Sequence, residues 1–403
     1  MEYIIIGNGI AGTEAAKNIR RSDSSSEIII FSQENYPLYS KPRIPELLAR
    51  EVTVEDIFVY KFEWYHKNKI QLYLNCKVKD VDRENQTVIL ADKSRFSYSK
   101  LLFDTGSSSA LPPIDGITTT KGVLTLRTVE DTLRITDLAL HSKTATLIGG
   151  GLLGLETGNA LRKLGLSITI VEIFDRLLPR QLDTEGAAIL QKQLEDMGLK
   201  FILGAQSKSV NERDGTRLLE LHDGRIIESD FILVLAGIRP NITLAQKIGI
   251  SVNRGILVND RMETNIPHIY AAGDVAEHKG RIYGIWPAAQ RQGVVAGINM
   301  TGGNELYTGT VPSTTLKVVG IHLTSIGDIQ TEDETVEQVK IKDIEKNIYK
   351  KLFIKDGRII GAILLGDIKN AFDIRKLMER NVDISNDKEK ILDPGFDMKG
   401  LLK

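Results

Sequence analysis

The stretch Tyr3-Ile4-Ile5-Ile6-Gly7-Asn8-Gly9-Ile10-Ala11-Gly12-Thr13-Glu14 decides the fold of the first part of the chain. It begins with an apolar, β-branched run that predicts a buried parallel strand. A G-x-G-x-x-G motif follows and leads into a helix-like run. In this motif Gly7 makes a tight turn, Gly9 lets the backbone approach a pyrophosphate, and Gly12 lets the helix pack closely on the strand. The helix N-terminus then offers free N–H groups and a positive dipole end to phosphates.

The residues that follow support a dinucleotide site. A second apolar strand, Glu27-Ile28-Ile29-Ile30-Phe31, comes at the expected distance. Glu34 lies 22 residues after Gly12, near the ~20 expected for the acid that binds a ribose hydroxyl, although Ser32 stands where that acid more often falls. The predicted cofactor-binding residues of this unit are Gly7, Gly9, Ile10, Ala11, Gly12 and Glu34.

The same unit recurs about 140 residues later. Ala145-Thr146-Leu147-Ile148-Gly149-Gly150-Gly151-Leu152-Leu153-Gly154-Leu155-Glu156 leads into a helix, then the strand Ser167–Val171, then Glu172. Two matching units predict an α/β protein with two Rossmann-like dinucleotide-binding domains. A chain that holds two dinucleotides usually passes a hydride between them, and flavin and nicotinamide are the natural pair. The predicted contacts here are Gly149, Gly151, Leu152, Leu153, Gly154 and Glu172.

Glu172 also predicts which nicotinamide cofactor is used. An acid at the end of the second strand accepts from the 2′-hydroxyl of NADH and repels a 2′-phosphate. Arg176 follows four residues later with Asp175 beside it. We therefore expect NADH rather than NADPH.

Composition excludes several classes of protein. The 403 residues fit two or three domains, and the net charge of −1 gives no basic field for nucleic acid. No apolar run approaches the ~18 residues of a membrane span. The N-terminus begins directly on a strand, with no basic region or cleavage site, which predicts a cytoplasmic protein.

Cysteine and histidine usage narrows the chemistry further. Cys76 is the only cysteine, which excludes an internal disulfide, a Cys-x-x-Cys pair and a thiolate metal cluster. Cys76 lies in a strand-like run, so a structural thiol is favoured over a reactive one. The six histidines show no metal-ligand spacing, and no metal site is expected.

Two segments outside the glycine motifs carry candidate residues with open interpretations. Residues 36–48 contain three prolines and form a stiff loop with Lys41 and Arg43, which lies along a flavin or is an ordinary turn with solvated charges. Residues 50–75 are predicted as a helix with an aromatic stripe.

Three further residues have both a structural and a functional interpretation. Arg127 either begins a helix or reaches a phosphate. Glu156 either complements the helix dipole or lines the cleft where nicotinamide meets flavin, paired with Lys41 or Arg43. Asp274, after the apolar run Ile269–Gly273, either caps a helix or accepts from a sugar hydroxyl.

With these motifs the chain resembles the pyridine-nucleotide-disulfide oxidoreductase fold family, and within it the NADH:rubredoxin oxidoreductases. The N-terminal domain of the nitrite reductase large subunit and the ferredoxin-reductase flavoproteins are similar as well. The resemblance covers nearly the whole chain. It is carried by Gly7–Gly12, Tyr39–Arg43, Thr105-Gly106, Gly149–Glu156, Gly255–Thr264, Ile269–Glu277 and Leu316–Ile321.

The resemblance implies FAD, tightly bound, in the first unit and NADH in the second. It also implies a discontinuous FAD domain (1–111 and 239–311), an NAD domain (112–238) and a small α+β C-terminal domain (312–403) that covers the flavin face. By resemblance, the FAD contacts include Glu34, Lys41, Pro42, Val78 through its backbone, Thr105, Gly106, Arg127, Gly273, Asp274 and Trp286. The NAD contacts include Gly151, Glu156, Glu172 and Gly237.

Two positions depart from the pattern of the family. Branches that use a redox cysteine carry it in the loop after the first unit, where this chain has Ser40. A sulfenic-acid or mixed-disulfide cycle is therefore not expected. The turn before Thr105 usually carries alanine, and this chain has Asp104.

The expected reaction is hydride transfer from NADH to FAD, followed by single-electron transfer to a small carrier protein, with rubredoxin as the expected carrier. Lys41 and Glu156 are the predicted catalytic residues, Lys41 by stabilising the negative charge of reduced flavin. Because such carriers are acidic, a basic docking face is expected from Lys317, Lys340, Lys342, Lys350 and Lys351.

Two alternative functions stay open. One is a peroxide-forming NADH oxidase. The other is a redox-sensing flavoprotein that resembles apoptosis-inducing factor and dimerises with NADH. Monomer and homodimer both stay open.

Overall fold

The fold was analysed in a computed structural model that describes residues 1–318, 320–330, 333–393 and 395–402, without the side chain of Lys317. The strands, numbered in chain order, are β1 (Glu2–Ile6), β2 (Glu27–Phe31), β3 (Gln71–Tyr73), β4 (Val78–Asp82), β5 (Thr87–Leu90), β6 (Arg95–Ser97), β7 (Lys100–Phe103), β8 (Ser107–Ser109), β9 (Val123–Thr125), β10 (Thr144–Ile148), β11 (Ser167–Val171), β12 (Lys200–Ile202), β13 (Ser207–Arg213), β14 (Thr216–Leu221), β15 (Ile226–Ser229), β16 (Phe231–Val234), β17 (Ile238–Pro240), β18 (Ile256–Val258), β19 (Ile269–Ala271), β20 (Ala276–His278), β21 (Ser313–Val318), β22 (Ile321–Gly327), β23 (Glu337–Asp343), β24 (Ile348–Lys355) and β25 (Arg358–Leu365).

The α-helices are α1 (Ile10–Ser22), α2 (Ile44–Leu48), α3 (Phe62–Lys67), α4 (Val129–Leu140), α5 (Leu152–Lys163), α6 (Thr184–Asp196), α7 (Thr243–Lys247), α8 (Trp286–Met300) and α9 (Ala371–Glu379). Short 3-10 turns occupy Lys41–Arg43, Glu55–Ile57, Gly273–Val275 and Gly400–Leu402. None of the helices in the described ranges combines the length and the apolar composition that crossing a lipid bilayer would require.

Residues 1–44, 52–108 and 238–310 form one unit, which is discontinuous in sequence. Its main sheet is parallel, in the order β19-β7-β1-β2-β3. Strand β1 is central, and its side chains enter two different clusters: Tyr3 and Ile5 pack on one face, Ile4 and Ile6 on the other. Because both faces are covered, the strand needs the continuous apolar run seen in the sequence.

Helices α1 and α8 cover the same face of this sheet, and small residues let them approach closely. A Cβ atom on Gly293 would lie 2.2 Å from the carbonyl oxygen of Ala11, and one on Gly297 would lie 2.5 Å from that of Ala15. Any larger residue at either position would force the helices apart. The contact therefore holds α1, and with it the first glycine motif, in a fixed place.

The second unit comprises residues 45–51, 109–237 and 311–403. It contains a second parallel sheet, in the order β12-β11-β10-β16-β9, and the antiparallel sheet β13-β14-β15. Helix α4 begins with a capping box, in which Thr128 accepts from the Asp131 N–H. Helix α6 is followed by Gly198, which has φ +97°.

Residues from 313 onward add an antiparallel sheet in the order β21-β22-β25-β24-β23, with α9 packed against it. This segment therefore contains both strands and a helix, as expected for the small α+β C-terminal domain; Val319 lies outside the described residues. Together the two parallel sheets and this third sheet form the predicted fold class.

The helix predicted over residues 50–75 is wrong. That segment holds a 3-10 turn at Glu55–Ile57, the short helix α3 and the strand β3. Lys69 has φ +51°, a left-handed conformation that ends a right-handed helix. The aromatic residues predicted as core have mixed exposure: Tyr65 is buried and Phe62 is exposed.

Candidate cofactor-binding sites

The first glycine motif forms a tight turn between β1 and α1. Gly7 has φ +116°, and a Cβ atom there would lie 1.9 Å from the carbonyl oxygen of Asp104. Gly9 is the N-cap of α1 and has extended backbone. The first helical turn is Ile10, Ala11 and Gly12, which are apolar and carry no competing acid.

The second motif repeats this backbone conformation. Gly149 has φ +120°, and Gly151, the N-cap of α5, has φ −78° and ψ −180°. A Cβ atom on Gly151 would meet no atom within 4 Å. A glycine N-cap with open space above it, followed by the apolar first turn Leu152–Gly154, is the donor arrangement that a diphosphate requires.

Both loops therefore fit a dinucleotide phosphate. Helices of 13 residues (α1) and 12 residues (α5) direct their first N–H groups into a turn that carries no side chain at its N-cap. Neither N-cap has a side chain that would compete for these donors. The structure thus places the predicted phosphate-contacting residues together in each unit.

A buried acid that sequence reasoning noted only as a departure lies beneath the first loop. The Asp104 carboxylate Oδ2 accepts from the Gly12 N–H at 2.8 Å, and the side chain is 7% exposed. Burial raises the pKa of Asp104 to about 7; the Gly12 N–H opposes the rise, Asp274 adds to it, and the Gly9 N–H and Lys41 oppose it. The signal in the sequence is an acid between an apolar strand and a Thr-Gly turn.

The predicted ribose acid of the first unit, Glu34, is partly buried and engaged by two neighbours. Lys41 Nζ lies 3.1 Å from Glu34 Oε1, and the Tyr39 hydroxyl donates to Glu34 Oε2. Ser32 Oγ accepts from the Glu34 N–H at 3.2 Å. Lys41 therefore lies at the predicted ribose acid, with its side chain 34% exposed.

Glu172 is held differently. Its Oε2 accepts from the Gly150 N–H at 2.6 Å and its Oε1 accepts from the Phe174 N–H at 3.0 Å. The residue is 6% exposed. The carboxylate thus ties the end of β11 to the second glycine loop, at the position expected for a ribose contact.

The segment around Asp274 forms a second polar cluster in the first unit. Ser107 Oγ donates to Asp274 Oδ2 at 2.8 Å, and the Gln292 Oε1 accepts from the Gly273 N–H at 2.9 Å. Gly273–Val275 is a 3-10 turn rather than the start of an α-helix. Ser107 and Gln292, which sequence reasoning missed, position this turn.

The remaining predicted contacts are spread over both units. In the first unit, Val78 begins β4, Pro42 lies in the 3-10 turn, Trp286 begins α8, and the Thr105-Gly106 turn is held by Asn241. In the second, Arg127 precedes the cap of α4, Glu156 is the fifth residue of α5 and is partly buried, and Gly237 has φ +98°. Their roles toward FAD and NADH stay predictions.

Four of the five lysines predicted to dock a carrier form ion pairs within the chain. Lys340 and Lys342 pair with Glu185 at 2.9 and 3.6 Å. Lys350 Nζ lies 2.8 Å from Asp367, and Lys351 Nζ lies 2.7 Å from Asp183. The last two are only 10% and 11% exposed, so their assignment to a docking face is wrong. The side chain of Lys317 lies outside the described residues.

The comparisons with known proteins agree with this arrangement. Residues 1–293 match the family model "Pyridine nucleotide-disulphide oxidoreductase", and residues 312–382 match "Rubredoxin NAD+ reductase C-terminal domain". The chain belongs to the pyridine nucleotide-disulphide oxidoreductase family. Its membership confirms the predicted fold class, the FAD and NADH cofactors and the class of enzyme, an NADH-dependent FAD oxidoreductase.

Two curated relatives and one solved structure define the neighbourhood within the family. The chain is 38% identical over 397 residues to the nitrite reductase [NAD(P)H] of Bacillus subtilis, covering 98% of this chain and 49% of that protein. It is 31% identical over 388 residues to the NADH-rubredoxin oxidoreductase of Clostridium acetobutylicum, covering 96% of each. The crystal structure of NADH:rubredoxin oxidoreductase from that organism superimposes with a TM-score of 0.78 at 28% identity, covering 100% of this chain and 98% of the other. The chain thus spans about half the length of the nitrite reductase it matches.

Proposed function

We propose that this chain passes electrons from NADH through FAD to a small electron-carrier protein, with rubredoxin as the carrier. The observation that carries the proposal is the C-terminal sheet. Residues 312–382 match the C-terminal domain of rubredoxin NAD+ reductases. The Clostridium acetobutylicum relative supports it, because the two chains align over 96% of their lengths.

FAD, when bound, supplies the conversion of a two-electron donor into single-electron steps. The protein supplies binding and orientation. The N-terminus of α1 and Asp274 hold FAD, and the N-terminus of α5 with Glu172 holds NADH. Lys41 and Glu156 are proposed at the reacting end; in the structure Lys41 forms an ion pair with Glu34.

The C-terminal sheet is anchored to α6 by hydrogen bonds and ion pairs to Asp183 and Glu185. Asp183, the N-cap of α6, accepts from the Tyr349 hydroxyl at 2.6 Å and from Lys351 Nζ at 2.7 Å. Burial alone would raise the pKa of Asp183, but Lys351, Tyr349 and the Gly186 N–H together lower it. Because these charges are already compensated within the fold, we do not assign Lys351 to a carrier-docking face.

A second candidate is favoured by the higher identity to nitrite reductase, of which this chain spans about half. In that case the acceptor is a redox centre in a further domain or a partner subunit. The NADH and FAD chemistry is unchanged, and the two candidates differ only in whether the acceptor diffuses. The cytoplasmic location stays a prediction.

Anaerobic stopped-flow mixing tests the proposal. The holoprotein is reduced with one equivalent of NADH and mixed with oxidised rubredoxin, and the rubredoxin absorbance is followed. We expect rapid bleaching, with NADPH a much poorer donor. Slow bleaching combined with rapid oxygen consumption and stoichiometric peroxide would indicate the oxidase alternative instead.

Two further outcomes separate the remaining alternatives. Slow turnover with every acceptor, together with an NADH-dependent increase in molecular mass by light scattering, would indicate the redox-sensing flavoprotein. Rapid flavin reduction by NADH, but slow transfer to rubredoxin and to oxygen, would favour an acceptor in another domain or subunit. Each outcome rejects the rubredoxin proposal without rejecting the family assignment.

A further inference from the structure

Asp104 contacts the first glycine loop through a carboxyl group, whereas the residue in the equivalent position of the second unit has no carboxyl group. Asp104 follows β7, and its N–H donates to the Ile6 carbonyl at 2.9 Å. Leu235 follows β16 in the same way, and its N–H donates to the Ile148 carbonyl at 2.8 Å. The two residues therefore occupy equivalent positions, one with a carboxyl group and one with an apolar side chain.

The Asp104 carboxyl group fits only because glycines surround it. Cβ atoms on Gly9 and Gly12 would each lie 2.7 Å from its Oδ2, and one on Gly273 would lie 2.8 Å from its Oδ1. The group thus fills the space between the α1 N-terminus and the turn that carries Asp274. Both of those segments belong to the FAD site.

The carboxyl group performs a capping task that Gly9 cannot. An N-cap side chain usually accepts from the second or third N–H of its helix. Gly9 has no side chain, and Asp104, 92 residues from Gly12, accepts from that third N–H instead. It therefore shares the positive end of α1 with whatever anion binds there.

The charges that face Asp104 come from two other segments. Asp274 disfavours its ionised form and Lys41 favours it. Asp274 is itself held by Ser107, and Lys41 by Glu34. A cofactor diphosphate at the α1 N-terminus would add negative charge to this set, and like charges disfavour each other's ionisation.

We propose that Asp104 sets the affinity for FAD: its carboxyl group takes up a proton from solvent when the FAD diphosphate binds, and its ionisation weakens FAD binding. When Asp104 is neutral, the phosphates are the only negative groups that interact with the positive end of the α1 dipole. When Asp104 is ionised, its carboxylate competes with the phosphates for that interaction. FAD is consequently held more tightly as the pH falls through neutrality. This inference depends on the proposed FAD binding and does not depend on the electron acceptor. A negative rubredoxin assay would therefore not contradict it.

The test is the dissociation constant of FAD as a function of pH. Holoprotein is serially diluted at about pH 6 to about pH 9, and released FAD is measured by its fluorescence. One linked proton changes the constant by at most about tenfold per pH unit. We expect the constant to increase with pH above neutrality in the wild type and to stay level in Asp104→Asn, which binds FAD more tightly than wild type at alkaline pH.

A control variant separates this effect from the general loss of a carboxylate that is hydrogen-bonded to the main chain. Asp230 also accepts from two main-chain N–H groups, those of Lys143 and Thr144, at 2.7 and 2.8 Å. Asp230→Asn makes the same chemical change in the second unit. We expect its pH profile for FAD to match that of the wild type.

An infrared measurement on the intact holoprotein covers the case in which Asp104→Asn folds poorly. A protonated carboxylic acid has a carbonyl stretch distinct from that of a carboxylate. We expect this band in the wild-type holoprotein at about pH 8 and its loss when FAD is removed; Asp104→Ala provides a second variant in which it is missing. A flat wild-type profile, an unchanged slope in Asp104→Asn, or absence of the band would overturn the proposal.

Discussion

The two glycine loops of this protein have nearly the same backbone and different surroundings. Gly7 and Gly149 have φ +116° and +120°, and the two N-caps, Gly9 and Gly151, are both extended with φ −80° and −78°. Beneath the first loop lies a buried carboxyl group, whereas the equivalent position of the second holds Leu235. The motif alone therefore fixes the turn and does not fix the electrostatics of the site.

The acids at the strand ends differ in a complementary way. Glu172 directly follows β11 and binds two main-chain N–H groups of the loop region. In the first unit Ser32 takes that place, and Glu34 is instead bound by the side chains of Lys41 and Tyr39. The acid of the second unit is therefore held by main-chain N–H groups, and the acid of the first unit is held by side chains. The same sequence motif is supported by different contacts in the two units.

The largest difference between the two glycine loops is expected when Gly7, the first glycine of the first loop, is replaced. In Gly7→Ala a methyl group would meet the carbonyl oxygen of Asp104 at 1.9 Å, in a backbone conformation that alanine rarely adopts. We expect destabilisation by about 4 kcal/mol or more and loss of flavin. Gly149→Ala, with its 2.5 Å contact to Leu235, is expected to impair NADH binding while FAD is retained.

The control for this effect is Gly165→Ala. Gly165 has φ +95°, but a Cβ atom there would meet nothing within 4 Å. We expect a smaller loss of about 1 kcal/mol, measured by urea unfolding, with full flavin content. Equal losses in Gly7→Ala and Gly165→Ala would show that backbone conformation, and not close approach, is what the motif requires.

The second largest effect is expected when the buried carboxyl group of Asp104 is removed, and it concerns the free energy of unfolding of the flavin-free protein. Because the folded pKa of Asp104 is raised to about 7, its contribution is fully present below the unfolded pKa and is lost as pH rises through the folded value. At about pH 8 we expect Asp104→Asn to be more stable than wild type by about 4 kcal/mol. Urea unfolding at about pH 5 and about pH 8 measures the difference, which should shrink at the lower pH; an equal difference at both values would contradict the linkage.

The smallest effects are expected when the charge of Glu172 or Glu34 is removed. These two variants compare how each unit binds its cofactor. Glu172→Gln weakens the charged hydrogen bonds to Gly150 and Phe174, and we expect about tenfold weaker NADH binding with retained flavin. Glu34→Gln, at a more exposed cluster, should weaken FAD binding by less than that. Titration of NADH and FAD into each variant gives both constants, and a larger loss in Glu34→Gln would reverse this ranking.

Much of the fold was predictable because its signals are local. The β-branched run before Gly7, the glycine spacing and the repeat at Gly149 require only neighbouring residues to be interpreted. The segment 50–75 was predicted wrongly because its apolar spacing resembles a helix, while the left-handed Lys69 and the pairing of β3 with β2 interrupt it. The role of Asp104 was not predictable, since its partner Gly12 is 92 residues away.

The sequence by itself determined two dinucleotide-binding units, their turn glycines and the acid Glu172, because each depends on conformational preferences of adjacent residues. Only the tertiary structure decided that Asp104 lies under the first loop, that Lys41 pairs with Glu34, and that Lys350 and Lys351 are buried in ion pairs. Those contacts join distant parts of the chain, and packing alone selects which buried charge meets which partner.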